Sequence, residues 1–489
     1  MSANDFQFFW QKAGKQKSRF NLLLLEYGES FYEDLSVFYL PIPTPSRTLQ
    51  QCDSLKIQGR LKVCSRSLIF EPNDIKSPIV RYSYKSFSSP PSVFKVSAHE
   101  QRSCMFESSG FISFSSSSVL EMKANGKVGP YKQVDDGAIP DQGKVLFALV
   151  HSEPRALLAK LDALRHIYMI QNTEGKTAAD NIKIPYNTTA ISSGFDTSLL
   201  VNFHETLRLG VPVVVKKVSP MILNPGSLMV TDSRIYYQPA NINNVDEIVQ
   251  SIDLHKIHRI FCRRYLQQQI GIELLMSDGS SVLFCFEEKS IRDHIYALIN
   301  EFPRLSRNQV SLEDYLVRWQ KKEITNFEYL MYLNYEAGRS NNDLTQYPVF
   351  PHILRDFTSK SLDFKAPETY RDLSQPVGAL NAARLEHFKQ RYNSMPEVTP
   401  LEIEEGMIPP FMYGTHYSTP GYALHYLVRV APEHMLCLQA GKFDAADRMF
   451  TSIEETWTSV TNNPADLKEL IPEFFNGTCE FLVNKDDLD

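Results

Sequence analysis

The sequence GSLMVTDSRIYYQP occupies residues 226–239, and a close copy of it, GRLKVCSRSLIFEP, occupies residues 59–72. The copies align without a gap and share Gly59/Gly226 and Pro72/Pro239 at equivalent positions. Each alternates apolar and polar residues after a turn-forming glycine, and the proline ends the strand because it cannot donate to a ladder. Each copy therefore predicts two strands joined by a turn. The residues expected to point inward are Leu61, Val63, Leu68 and Phe70 in the first copy and Leu228, Val230, Ile235 and Tyr237 in the second.

Both copies are followed by further strands and then by an amphipathic helix. After the second copy, GIELLMSDGSSVLFCF (271–286) predicts a hairpin turning at Asp278-Gly279, and Ile291, Ile295, Leu298 and Ile299 form a helical apolar stripe. After the first, KVLFALV (144–150) predicts a strand. The helix that follows it has Ser152 as its expected cap and a stripe of Leu157, Leu158, Leu161 and Leu164.

This order of elements is similar to that of pleckstrin-homology-like (PH/GRAM) barrels, in which a C-terminal helix closes a small sheet. The sequence thus predicts an α+β multidomain protein with two such modules, residues 1–171 and 201–302, joined by a polar linker at 172–200. The first module has a longer interior, 88–143. Its serine-rich stretch FISFSSSSVL is either a strand or a loop insertion.

Composition narrows the class of protein. The chain has 489 residues, is 43% hydrophobic and 22% charged, and has no apolar run near the ~18–20 residues that span a bilayer. Seven scattered cysteines without metal-ligand spacing indicate reduced thiols in a cytosolic protein. We therefore expect a cytoplasmic chain, with peripheral attachment to membranes left open.

Charge divides unevenly along the sequence. Residues 1–308 have 35 Lys and Arg against 30 Asp and Glu, whereas residues 309–489 have 16 against 27. A mildly basic front half suits anionic lipid better than the acidic rear half does. No nucleic-acid-binding signature occurs, so nucleic acid is not an expected partner.

From residue 311 the pattern becomes helical. Ser311–Asp314 and Thr325–Glu328 fit the capping box that opens helices, and Phe327, Leu330, Met331 and Asn334 then follow one face. In NNDLTQYPVFPHILRDF (341–357) two prolines forbid a regular helix, yet the segment is too apolar for solvent. We expect an extended segment buried among helices.

These rear-half phrases carry a resemblance. ITNFEYLMYLNYEAGRSNNDLTQYPVFP (324–351), YRDLSQPVGALN (370–381), YGTHYSTPGY (413–422) and DLKELIPEFF (466–475) are similar to the BEACH domain, in that order. The resemblance implies a BEACH domain over 311–489 behind a GRAM/BEACH-type PH domain. His352 replaces the family's usual tryptophan, and 397–410 reads as an acidic insertion. Since the sequence stops at Asp489, inside the domain as the family has it, we expect a truncated BEACH domain without WD repeats.

The resemblance also implies a function. The N-terminal SRFNLLLLEYGESFYEDL (18–35) is similar to a narrower group of BEACH proteins, the adaptors that couple a tumour necrosis factor receptor to neutral sphingomyelinase activation and ceramide signalling. In that group the receptor tail is assigned to the WD-repeat region, which argues against receptor coupling by this chain. The alternative is a lipid-binding module in membrane traffic. The family also implies packing of the PH-like module on the BEACH domain.

No motif predicts an active site. His416 and Ser418 are close in sequence, but Thr419 and Pro420 explain this segment as a helix start, without a nucleophile elbow. Glu402, Glu404 and Glu405 read as solvated loop charge. No phosphate-binding loop, dinucleotide fingerprint or zinc motif occurs. We expect neither enzyme activity, cofactor nor metal; a hydrolase stays the third hypothesis.

One constellation has binding chemistry, a set of cations in the second module. Converging Lys and Arg at the rim of a barrel can bind inositol phosphates and anionic phospholipids. The competing interpretations are a solvated strand edge and a surface that docks the acidic rear half. The candidate lipid-binding residues are Lys216, Lys217, Lys256, Arg259, Arg263 and Arg264.

Overall fold

The computed structural model describes residues 20, 22–26, 29–45, 47–96, 108–122, 130–134, 143–173, 195, 197–239, 249–302, 311–404, 407–413, 419–430, 432, 450–477 and 479–484. The chain divides into two compact units. One is built mainly from Lys15–Asn308 and holds both sheets, and the other mainly from Gln309–Ala431 and Met435–Asp489.

The first sheet is antiparallel and has nine strands in the order β5-β6-β9-β1-β2-β3-β4-β7-β8. Residues 111–116 of the serine-rich stretch lie in β6, which pairs with β5 and β9, so the strand interpretation is correct for that part, and residues 117–119 connect β6 to β7. The strands are β1 (Phe31–Leu40), β2 (Ile57–Cys64), β3 (Ser67–Pro72), β4 (Val80–Ser83), β5 (Phe87–Val93), β6 (Gly110–Ser116), β7 (Leu120–Met122), β8 (Tyr131–Gln133) and β9 (Lys144–Leu149).

The second sheet is also antiparallel, with seven strands in the order β13-β12-β11-β10-β16-β15-β14. The predicted turn at Asp278 is present, since the Asp278 carboxylate accepts from the Ser280 N–H at 2.9 Å and Gly279 has a positive φ of 89°. The strands are β10 (Val213–Val218), β11 (Leu223–Val230), β12 (Arg234–Pro239), β13 (Gln250–Asp253), β14 (Ile257–Tyr265), β15 (Gln268–Met276) and β16 (Ser281–Cys285).

The repeated sequence forms the same hairpin twice. β2 and β3 pair Gly59 with Pro72 and Leu61 with Phe70, and β11 and β12 pair Gly226 with Pro239 and Leu228 with Tyr237. The predicted inward residues of both copies are at most 3% exposed. Both hairpins thus have the same pairing register, and neither contains an edge strand of its sheet.

The outer face of each hairpin is also covered, which the alternation alone does not predict. In the second sheet Met229 and Tyr236 are each 1% exposed. Phe195 packs against the Tyr236 ring at 5.5 Å, and Leu207 forms a bridge with Thr231. Segments that precede the first strand thus bury the second face, as Phe20 and Leu24 do over Ile69 in the first sheet.

A helix follows each sheet and adds its apolar stripe to the core. In α2 (Pro154–Thr173), Leu157, Leu161 and Leu164 belong to the core of the first sheet, and in α3 (Lys289–Asn300), Ile295 and Ile299 belong to that of the second. The expected cap of α2 is wrong: the Glu153 carboxylate, not Ser152, accepts from the Ala156 N–H, at 2.7 Å. Helix α2 also runs two residues into the predicted linker, and most of that linker lies outside the described residues.

The second unit is helical, as expected. Both predicted capping boxes are present, at Ser311/Asp314 and Thr325/Glu328. A short helix, α1 (Leu49–Asp53), precedes β2 in the first unit. The helices of the second unit are α4 (Leu312–Gln320), α5 (Asn326–Glu336), α6 (Ala382–Ser394), α7 (Pro400–Glu404), α8 (Pro420–Leu427) and α9 (Ile453–Asn462).

The segment around Pro348 is extended and buried among these helices, as its composition predicts. Tyr347 and Phe350 are 1% and 0% exposed. Asn334 of α5 pairs with this segment like a neighbouring strand: its amide nitrogen donates to the Val349 carbonyl at 2.9 Å, and its oxygen accepts from the Val349 N–H at 2.8 Å. Phe350 also forms a bridge with Leu470.

Candidate functional site

Five of the six predicted lipid-binding cations lie on two separate strands, and Lys256 lies in the 3₁₀ turn that precedes β14 (Ile257–Tyr265). Lys216 and Lys217 are on β10, and Arg259, Arg263 and Arg264 are on β14, with β16 and β15 between the two strands. Lys216, Lys256 and Arg264 are exposed, whereas Lys217 and Arg259 are half-buried. The fold therefore gathers the cations of 256–264 on β14 and the turn before it, and sets the lysines of β10 apart from them.

Arg263 does not belong to the surface set. Its side chain is 3% exposed, and its Nε lies 2.6 Å from Oε2 of Glu273, which is 1% exposed. Because β14 buries Phe261, Arg263 and Tyr265 at alternate positions, Arg263 points to the covered face. Two signals in the sequence could have identified this buried ion pair. Arg263 lies two residues from each of these aromatic residues, and Glu273 lies within an apolar run.

Aromatic and acidic neighbours shape the rest of the cation cluster. The guanidinium groups of Arg259 and Arg263 lie 4.7 and 4.3 Å from the centre of the Phe261 ring. The pKa of Asp278 is lowered, first by hydrogen bonds from Ser280 and to a smaller extent by the charge of Lys256. Lys256 thus has an ionised carboxylate near it, which reduces the positive potential at this end of the cluster.

In the second unit, polar side chains support the extended segment. The Glu469 carboxylate accepts from the His352 N–H at 3.0 Å and lies 2.7 Å from Nη1 of Arg371. His352 is 1% exposed, and its ring lies 5.3 Å from that of Trp457. Burial, and secondly the Arg371 charge, lower the pKa of His352 to about 3. This histidine is a neutral core residue.

The other candidate catalytic residues have structural roles, wherever they fall within the described part of the chain. The Thr419 hydroxyl accepts from the Tyr422 N–H, so Thr419 caps α8 ahead of Pro420, as predicted. His416 and Ser418 lie outside the described residues. Glu402 and Glu404 are not in a loop, because both lie in α7, and Glu405 lies outside the described residues. Hydrogen bonds from the Thr399 N–H and then from the Thr399 hydroxyl lower the pKa of Glu402.

Within the described part of the chain, no three His, Cys, Asp or Glu side chains come together as metal ligands. Over the same residues, none of the helices has the length and apolar character needed to cross a bilayer. The described cysteines, Cys52, Cys64, Cys262, Cys285 and Cys479, are free thiols.

Three family models match the chain in series. The model of the FAN protein N-terminal PH domain matches residues 7–179, that of the PH domain associated with Beige/BEACH matches 216–300, and that of the Beige/BEACH domain matches 317–489. None of the three describes a catalytic family. Together they cover both sheets and the helical unit.

Curated proteins from animals and plants are similar to this chain. "Putative neurobeachin homolog" of Caenorhabditis elegans is 36% identical over 292 residues, which are 53% of this chain and 11% of that protein. The protein of the same name from Caenorhabditis briggsae is 37% identical over 293 residues, with the same two shares. "BEACH domain-containing protein B" of Arabidopsis thaliana is 42% identical over 252 residues, 47% of this chain and 9% of that protein. The chain spans about a tenth of the length of these relatives.

Proposed function

This chain belongs to the BEACH-domain family, and from that premise we propose that it is a non-enzymatic adaptor whose two sheet modules and BEACH domain hold other proteins. The finer proposal is that it contributes to coupling a tumour necrosis factor receptor to neutral sphingomyelinase and ceramide signalling. The observation that supports this role is the FAN-type PH match over residues 7–179, ahead of the PH–BEACH pair.

The interior of the second unit is consistent with a scaffold. Its buried polar groups, Asn334, Arg371 and Glu469, bind backbone groups or one another and so hold the chain in place. A catalytic group instead needs access to a substrate and a neighbour that activates it. Packing of the second sheet module on the BEACH domain, which the resemblance implies, stays a prediction.

Sphingomyelin turnover distinguishes the adaptor from a hydrolase. The purified chain alone should release no phosphocholine from sphingomyelin vesicles, and it should raise the activity of a separately added neutral sphingomyelinase. Turnover by the chain alone would contradict the adaptor role. An added enzyme whose rate does not change would contradict the sphingomyelinase part.

The second candidate function is recognition of anionic phospholipid in membrane traffic. It is favoured by the exposed cations Lys216, Lys256 and Arg264, together with Arg259 on the same strand as Arg264. Each cation near an anionic bilayer contributes about 1 kcal/mol, so the four together would change binding strongly.

Vesicle sedimentation with a matched control tests this candidate. The variant replaces Lys216, Lys256, Arg259 and Arg264 by Ala. The control replaces four lysines that are exposed elsewhere, Lys76, Lys132, Lys360 and Lys389, and loses the same charge. Lipid recognition predicts that phosphoinositide vesicles pull down the wild type and the control but not the variant. Equal sedimentation of the variant and the control would assign the cations to another role.

A further inference from the structure

The first sheet module contains an apolar cavity that none of the family matches assigns. Its volume is about 180 Å³, and it lies between β1, β2, β3, β4 and β9. Phe70, Tyr82, Val119 and Val145 are at most 6% exposed and form its inner wall. The half-buried residues Tyr39, Ile57, Val80 and Val134 line the side nearer to solvent.

The second module shows which of these residues the fold requires. Strand pairing sets the equivalences: Tyr39 pairs with Ile57 and Phe147 in the first module, and Lys217 pairs with Asn224 and Phe284 in the second. Phe70 likewise pairs with Val80, and Tyr237 pairs with Gln250. The positions of Tyr39, Ile57 and Val80 are thus occupied by Lys217, Asn224 and Gln250 in the second copy.

One contact confirms that Tyr39 and Lys217 correspond in space. The Tyr39 and Phe70 rings lie 5.9 Å apart in the first module, and in the second the Lys217 Nζ lies 5.8 Å from the centre of the Tyr237 ring. The same frame therefore folds with polar side chains at these three places. Apolar side chains there are not a requirement of the hairpin, and half-exposed apolar surface is unfavourable in water.

We propose that this cavity binds the hydrocarbon chain of a lipid or other amphiphile. An apolar cavity of about 150 Å³ stays dry and holds a benzene-sized molecule, so 180 Å³ has room for about six to eight carbon atoms. Glu121 and the exposed Lys144 also line the site, and a polar head group would remain near them in water. The proposal does not depend on the cations of the second module.

The test measures binding of radiolabelled decanoate to the full chain by equilibrium dialysis. Wild type should bind one decanoate per polypeptide. Decanol should displace the decanoate, because the hydrocarbon chain and not the carboxylate is recognised. The triple variant Tyr39→Lys, Ile57→Asn, Val80→Gln carries the second module's residues and should bind at least tenfold more weakly. Val93→Gln, which changes an exposed valine of β5 outside the cavity, is the control and should bind as wild type does.

A second variant makes the result independent of how well the triple variant folds. Val80→Trp fills the cavity with apolar atoms and should also lose decanoate, with the thermal unfolding transition retained. Phosphatidylcholine vesicles identify the source of the chain: stronger sedimentation of wild type than of Val80→Trp assigns it to a bilayer lipid, and equal sedimentation assigns it to a free fatty acid. Equal decanoate binding by wild type and both variants would overturn the proposal.

Discussion

The ring of Tyr237 lies against Gly226 on the neighbouring strand, so closely that a Cβ at Gly226 would be 2.6 Å from Cε2 of the ring and 2.4 Å from the Gln238 carbonyl oxygen. The first module repeats this relationship between Phe70 and Gly59, with the corresponding distances 2.6 and 2.5 Å. An aromatic side chain covers a glycine in the adjacent strand in both copies. Glycine is therefore required at this position in both copies, because the aromatic ring occupies the volume that a side chain would need.

Gly226→Ala should destabilise the second module by about 1–3 kcal/mol, since the added methyl meets backbone and ring atoms that have little room to move. The midpoint of thermal unfolding should fall by several degrees. Gly210→Ala is the control, because a Cβ there has nothing within 4 Å. If both variants unfold at the same temperature, the ring of Tyr237 does not exclude a side chain at position 226.

The buried pair of Arg263 and Glu273 should behave as a structural ion pair. Glu273→Leu leaves an uncompensated buried guanidinium and should cost about 3–5 kcal/mol, while the double variant Arg263→Met, Glu273→Leu should recover most of that loss. Denaturant unfolding measures both. Arg264→Ala, at an exposed position of the same strand, should stay within about 0.5 kcal/mol of wild type. A double variant as unstable as the single one would show that the pair is needed for more than charge balance.

The sequence predicts the repeated elements well because each depends on local information. Alternation identifies Leu228 and Tyr237 as inward-facing, and a three- and four-residue spacing identifies Ile295 and Ile299 as the buried stripe of α3. The caps at Ser311 and Thr325 follow from short-range chemistry in the same way.

The errors come from contacts between residues distant in sequence. Period two marks Tyr236 as outward-facing, but Phe195 and the Glu205 carboxylate cover it. Arg263 reads as a surface cation until the strand pairing places Glu273 nearby. The cavity could not be predicted either, because strand pairing brings its lining residues Tyr39, Ile57 and Val80 together from three separate strands.

His352 should make folding stability depend on pH. Its pKa is lowered from 6.5 to about 3 in the folded chain, so between these values the unfolded chain binds a proton that the folded chain does not. The contribution of His352 to the free energy of unfolding is then complete above about pH 6.5. It decreases toward pH 3, by up to about 1.4 kcal/mol per pH unit. His352→Phe should remove this part of the slope. The free energy of unfolding of the His352→Phe variant, relative to that of wild type, should rise steadily on acidification. A constant difference would mean that His352 does not titrate on unfolding.

Asn334 should be the most sensitive polar position of α5, because a single side chain satisfies both backbone groups of Val349 and also donates to the Leu330 carbonyl at 2.9 Å. Asn334→Ala leaves partly buried peptide groups without those partners, which costs about 1–3 kcal/mol. Asn334→Asp keeps the acceptor for the Val349 N–H and loses both donors. Hydrogen exchange of the Val349 amide should therefore accelerate strongly in the Ala variant and less in the Asp variant. If the Val349 amide exchanged as slowly in both variants as in the wild type, backbone packing, and not the Asn334 side chain, would hold the extended segment in place.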